Sequence, residues 1–114
     1  MARILLVEDH QALAALRCTI LNRSGYDVVC TGDGEEACRL LNREVFDLVV
    51  TDAMLPKGSG VEVASAAQKH HLPVIFSSGW PSEKARQVAD WVIPKPCSLS
   101  EFLRLVDSAL QKAY

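Results

Sequence analysis

Short apolar runs alternate along the whole chain with longer segments of helical periodicity. Five runs have the length and apolar content of buried strands, and they lie at Arg3–Val7, Asp27–Cys30, Phe46–Thr51, Pro73–Phe76 and Trp91–Ile93. Strands that are covered on both faces need not alternate polar and apolar residues, and this pattern is typical of parallel sheets. With right-handed crossovers, the alternation predicts an α/β fold, a three-layer sandwich with helices on both faces of a five-stranded parallel sheet.

The segments between these runs carry helix signals. Two have the spacing of a capping box, at Asp33-Gly34-Glu35-Glu36 and at Ser98-Leu99-Ser100-Glu101. The helix after the first run is expected at Gln11–Ser24, and its buried face is predicted to hold Leu13, Leu16, Ile20 and Leu21. The last helix is predicted to bury Leu99, Phe102, Leu103, Val106 and Leu110. The helix that begins at the first capping box is expected to end near Arg43, and two further helices are expected near Val61–Lys69 and about Ser82–Ala89.

Composition narrows the class of protein but not its activity. The 114 residues fit one domain, expected at 1–114. The net charge of −2 offers no basic face, so we expect no direct contact with nucleic acid. Apolar stretches of four or five residues are too short for a bilayer, and without a signal peptide we expect a cytoplasmic protein that contacts no membrane. The four cysteines are Cys18, Cys30, Cys38 and Cys97, and their spacing does not match a metal site. We expect them to be reduced and mostly buried.

Polar side chains follow four of the five predicted strands. Glu8 and Asp9 end the first, Asp52 ends the third, Ser77-Ser78 ends the fourth, and Lys95 follows the fifth. Since the carboxyl ends of parallel strands share one edge, these groups are expected to converge there. Three carboxylates repel one another unless a cation joins them, and hard oxygen ligands suit Mg²⁺. In such a site Asp52 is a plausible nucleophile, and Lys95 and Ser78 can bind phosphoryl oxygens.

Four motifs in this order resemble the receiver domain of response regulators (the CheY-like superfamily) over essentially the whole chain. They are Ile4-Leu5-Leu6-Val7-Glu8-Asp9, Asp52-Ala53-Met54-Leu55-Pro56 with Gly60, Pro73-Val74-Ile75-Phe76-Ser77-Ser78-Gly79, and Lys95-Pro96. The resemblance implies the flavodoxin-like strand order 2-1-3-4-5. It also implies that Asp52 accepts a phosphoryl group, and that Ser78, rather than Ser77, is the switch hydroxyl beside the lysine Lys95.

The resemblance further implies a Mg²⁺ site and a signalling role. Glu8, Asp9 and Asp52 would hold the metal together with the main-chain carbonyl of Met54, and Asp9 would be a more direct ligand than Glu8. The phosphoryl donor would be a histidine kinase or a phosphotransfer protein, and an unknown downstream protein would respond to the switched conformation. The chain would be no enzyme beyond its own phosphorylation and dephosphorylation, and a monomer or a phosphorylation-dependent homodimer.

The chain departs from this family pattern in three places. The segment from Ser78 to Lys95 is shorter than usual, so we expect a short or irregular helix between the fourth and fifth strands. The aromatic residue usual three positions before the lysine is Val92 here, which puts the family's aromatic switch in doubt. Bulky residues at Met54 and Trp80 would obstruct the hydrolytic water and predict a long-lived phosphoaspartate.

Other interpretations remain open for each residue. Asp52 and Ser78 could be ordinary turn residues, Lys95 a solvated loop charge, and Asp9 a helix cap. The whole chain could be a pseudo-receiver, an interaction module that is never phosphorylated. A phosphatase with an aspartate nucleophile is a second rival, but it would normally need another aspartate where Met54 stands.

Overall fold

A computed structural model describes residues 1–53, 55, 57–78, 87, 89–94 and 97–113. Its strands are β1 (Arg3–Val7), β2 (Asp27–Thr31), β3 (Leu48–Asp52), β4 (Val74–Ser78) and β5 (Trp91–Pro94). All neighbours pair in parallel, in the order β2-β1-β3-β4-β5. The predicted sheet and its flavodoxin-like strand order are therefore confirmed, with the third strand beginning two residues later than expected.

The described helices are α1 (Gln11–Arg23), α2 (Gly34–Arg43), α3 (Gly60–Lys69) and α4 (Leu99–Ala113). The predicted caps are present, because Asp33 Oδ1 accepts from the N–H groups of Glu35 and Glu36, and Ser98 Oγ accepts from Glu101 N–H. The short helix expected at residues 82–89 falls mostly outside the described residues. Among the residues described, no helix is both long enough and apolar enough to cross a bilayer.

The sheet separates two apolar cores, as a three-layer sandwich requires. One core lies between the sheet and helices α2 and α3, with Phe76 and Val63 fully buried. The other lies between the sheet and helices α1 and α4, with Leu21 and Phe102 fully buried. Every residue of β3 is buried, which explains why this strand reads as a continuous apolar run.

The predicted buried face of α1 is wrong at Leu16, whose side chain is 54% exposed. Arg17, the next residue, is only 3% exposed and lies on the buried face with Leu21. Helical geometry explains the result, because at about 100° per residue Arg17 is roughly 40° from Leu21 and Leu16 roughly 140°. The side that carries Leu21 therefore carries the arginine into the core.

One further expectation is wrong, and one alternative interpretation is excluded. The cysteines are not mostly buried, since Cys30 is exposed and Cys18, Cys38 and Cys97 are partly exposed, although all four are free thiols as predicted. Asp9 does not cap α1. The cap is His10, whose Nδ1 accepts from Leu13 N–H at 3.2 Å.

Candidate functional site

The strand register brings the acidic residues to one place. Val7 at the end of β1 pairs with Thr51 of β3, so Glu8 and Asp52, the next residues, lie side by side at the carboxyl edge of the sheet. Carboxylate oxygens of Glu8, Asp9 and Asp52 all lie within 4.8 Å of one another. Glu8 and Asp52 are 3% and 7% exposed, while Asp9 is exposed to solvent. The predicted convergence of three carboxylates is present in the structure.

Backbone and side-chain contacts hold Glu8 at the base of this cluster. Its N–H donates to the carbonyl of Thr31 at 3.0 Å, and its Oε2 accepts from His10 N–H at 3.0 Å. Its Oε1 lies 3.8 Å from Nη1 of Arg17, which is itself buried. Because His10 provides the cap of α1, the exposed carboxylate of Asp9 is not used as that cap.

Asp52 is positioned through its backbone by the start of α3. Gly60 packs so closely against it that an added Cβ would lie 2.0 Å from the Asp52 carbonyl oxygen and 2.9 Å from Cα of Ala53. Gly60 N–H donates to the carbonyl of Ala53 at 3.2 Å, and Ala53 N–H donates to the carbonyl of Ser77 at 3.0 Å. The glycine of the second motif, Gly60, therefore permits a backbone approach that any side chain would block.

The cluster opens toward solvent beside β2. A cavity of about 360 Å³ adjoins it and is lined by Glu8, Asp9, Gln11, Ala14, Cys30, Thr31 and Gly32. One exposed and two buried carboxylates form a hard-oxygen donor set, and such groups held this close repel one another without a cation. The residues present therefore fit Mg²⁺, which takes one or two carboxylates and retains several waters.

The remaining predicted site residues lie wholly or partly outside the described part of the chain. Met54 and Lys95 lie outside the described residues, as does Trp80. Ser78 is the last residue of β4, but its side chain is outside the described part of the chain. Its neighbour Ser77 pairs with Asp52 in the sheet, and its buried Oγ has no hydrogen-bond partner among the described residues.

Arg17 is the residue at this site that the sequence reasoning missed. A charged residue in the middle of an amphipathic helix is usually assigned to the solvent face. A signal was nevertheless present, since Leu13, Arg17 and Leu21 follow one another at the four-residue spacing of a single helix face.

A doubly wound parallel sheet with carboxylates at its carboxyl edge defines a class of metal- and phosphate-binding α/β domains. Within that class, the family model of the response regulator receiver domain matches residues 4–107. The transcriptional regulatory protein CpxR of Escherichia coli (strain K12) is 33% identical over 120 residues, which cover 100% of this chain and 51% of CpxR. The alkaline phosphatase synthesis transcriptional regulatory protein PhoP of Bacillus subtilis (strain 168) is 34% identical over 118 residues, which cover 97% of this chain and 49% of PhoP.

Solved structures agree with this assignment. The receiver domain of the Francisella response regulator 1452 superposes with a TM-score of 0.90 at 26% identity, covering 100% of both chains. The chain therefore belongs to the response regulator receiver domain family, as the motifs predicted. It spans about half the length of the curated relatives it matches. Receiver domains of this family are signalling modules that take phosphoryl groups from histidine kinases and bind Mg²⁺ in their active site.

Proposed function

We propose that this chain is a phosphorylation switch whose acceptor is the carboxylate of Asp52. The observation that carries the proposal is the grouping of Glu8, Asp9 and Asp52 within 4.8 Å, with Asp52 ending the central strand β3. A nucleophilic carboxylate at a cation site suits phosphoryl transfer, because that reaction depends on positioning and on neutralising charge. Membership of the receiver family supports the same assignment.

In the proposed reaction, one carboxylate oxygen of Asp52 attacks the phosphorus of a phosphohistidine on the donor. A P–O bond forms while the P–N bond breaks, and the electron pair of that bond returns to the imidazole. Glu8, Asp9 and Asp52, with the Met54 carbonyl, would hold Mg²⁺, which when bound neutralises charge on the phosphoryl oxygens. Gly60 keeps the Asp52 backbone in place, since a side chain there would displace the acceptor. Ser78 and Lys95 are proposed to bind the transferred group.

The proposed output is a change in affinity for a downstream partner. A phosphoryl group adds negative charge at the sheet edge and can shift the population of two conformations. The relatives CpxR and PhoP are named as transcriptional regulatory proteins, which supports control of transcription as the final result. The expectation that these 114 residues contact no nucleic acid stays a prediction, as does the long-lived phosphoaspartate attributed to Met54 and Trp80.

Intact mass spectrometry after incubation with Mg²⁺ and acetyl phosphate tests the proposal. The parent chain is expected to gain one phosphoryl group, and Asp52→Asn none. Asp27→Asn is the matched control, because it makes the same chemical change at an exposed position where β2 begins, and it should gain the group like the parent. A folded parent that gains nothing in the presence of Mg²⁺ would refute phosphorylation at Asp52 and favour the pseudo-receiver.

A further inference from the structure

Arg17 is a buried cation that the proposed reaction does not use. Its side chain is 3% exposed and reaches from α1 into the core beneath the acidic cluster. Its Nη1 lies 3.8 Å from Oε1 of Glu8, and its Nη2 donates to Sγ of Cys97 at 3.7 Å. Its Cζ lies 4.4 Å from the centre of the Phe102 ring. The guanidinium therefore touches one carboxylate of the site, the segment before α4, and α4 itself.

The charge on Arg17 has no obvious role in packing. An aliphatic residue would fill this position between the sheet and α4 without the cost of removing a cation from water. The sulfur and the aromatic ring are uncharged, so the carboxylate of Glu8 is the one negatively charged group among these three contacts. At 3.8 Å the two groups interact mainly through charge, because a direct hydrogen bond between them would be shorter.

We propose that Arg17 is a positioning residue that acts as a resident counter-cation of the acidic cluster. It offsets part of the charge of Glu8, Asp9 and Asp52, and it holds Glu8 at the base of the site when no metal is bound. The same positive charge opposes the arrival of a second cation. The inference rests on the proposed function, because it assumes that these three carboxylates bind Mg²⁺. Its consequence is that this chain binds Mg²⁺ more weakly than the same cluster without the arginine.

Replacing the charge by an uncharged side chain of similar length tests this inference. Calorimetric titration with Mg²⁺ at mildly alkaline pH, where carboxylates are ionised, compares the parent with Arg17→Met. We expect Arg17→Met to bind Mg²⁺ on the order of tenfold more tightly, since unit charges a few ångströms apart interact strongly in a partly buried site. Arg17→Lys keeps the charge and should stay within about twofold of the parent.

Arg23→Met is the matched control. It removes the same charge from the last turn of the same helix, where the side chain is exposed and solvent screens it. Its affinity for Mg²⁺ should stay within about twofold of the parent. Tighter binding by Arg17→Met alone separates an electrostatic role from packing, because a loosened site would bind the metal more weakly.

The outcomes distinguish this inference from the proposed function. A parent that binds Mg²⁺, together with a folded Arg17→Met variant of equal or weaker affinity, overturns the role of Arg17 and leaves the metal site intact. A parent that binds no Mg²⁺ overturns the site itself, and the inference with it. If Arg17→Met does not fold, Arg17→Gln is titrated in the same way, and an affinity no tighter than the parent's overturns the inference equally.

Discussion

Gly60→Ala is the substitution that most directly tests how the fold positions Asp52. The new Cβ would meet the Asp52 carbonyl oxygen at 2.0 Å, whereas real Cβ atoms essentially never approach within 3.0 Å. The backbone must therefore move by about 1 Å or more. Overpacking costs about 1–3 kcal/mol, and contact with backbone puts this case toward the upper end, while alanine regains little over glycine at the first residue of α3. The net loss of about 2 kcal/mol lowers the midpoint of thermal unfolding by roughly 10 °C in a domain of this size.

The larger effect is expected on phosphorylation. A displacement of about 1 Å at the acceptor can lower a rate on the order of 100-fold, far more than the loss of stability would suggest. The assay is the initial rate of phosphorylation by acetyl phosphate at a temperature where circular dichroism shows the variant to be folded. Thermal unfolding of the same preparation gives the change in stability.

Gly25→Ala provides the control for glycine replacement in general. Gly25 has φ +94°, so alanine is strained there by roughly 1–2 kcal/mol, but its Cβ meets nothing within 4 Å. This variant should lose stability and keep the parental phosphorylation rate. A folded Gly60→Ala variant that is phosphorylated as fast as the parent would show that the Gly60 contact does not position Asp52.

Three further predictions concern stability and thiol chemistry. The hydroxyl of Tyr26 donates to the Asp107 carboxylate, and Tyr26→Phe should cost about 1–2 kcal/mol in chemical denaturation. Desolvation, and then the hydrogen bond with Asp107, raise the pKa of Tyr26 from 10.0 to about 12. Because the folded-state pKa is the higher one, the hydroxyl stabilises the fold fully below pH 10, and this stabilisation is lost as the pH rises toward 12. His71 has φ 59°, and His71→Gly should gain about 1 kcal/mol by relieving that strain. Desolvation of the thiol group, and then its hydrogen bond with the Cys18 thiol, raise the pKa of Cys30 although the residue as a whole is exposed, so iodoacetamide should alkylate it slowly at neutral pH.

A specific result would contradict each of the predictions for Tyr26, His71 and Cys30. Equal stability of Tyr26→Phe and the parent at neutral pH would show that the hydroxyl contributes nothing. A lower free energy of unfolding in His71→Gly would mean that contacts of the imidazole stabilise the fold by more than the positive φ costs. Peptide mapping by mass spectrometry that finds Cys30 alkylated ahead of Cys97 at neutral pH would contradict the raised thiol pKa.

Much of the fold was predictable because its physical causes are local. A parallel strand covered on both faces is apolar over most of its length, so β1 and β3 are recognisable in the sequence as short apolar runs. Asp33 and Ser98 mark helix starts because their side-chain oxygens can accept from the N–H groups of the first turn, which have no partner within the helix. The acidic cluster was predictable as well, since parallel strands end at a common edge, Glu8 and Asp9 directly follow β1, and Asp52 is the last residue of β3.

The strands, the caps at Asp33 and Ser98 and the residues of the acidic cluster thus follow from patterns along the chain. The burial of Arg17 was not predicted, because it depends on a partner that folding brings to the inner face of α1. A buried guanidinium is tolerated beside a carboxylate, and Glu8 reaches that position through the pairing of β1 with β3. The need for glycine at position 60 likewise arises from the approach of α3 to the Asp52 backbone. Both depend on contacts with groups distant in the chain. The spacing of Leu13, Arg17 and Leu21 places them on one face of α1, but it does not reveal the Glu8 partner, and no residues near position 60 reveal the approach of α3 to Asp52.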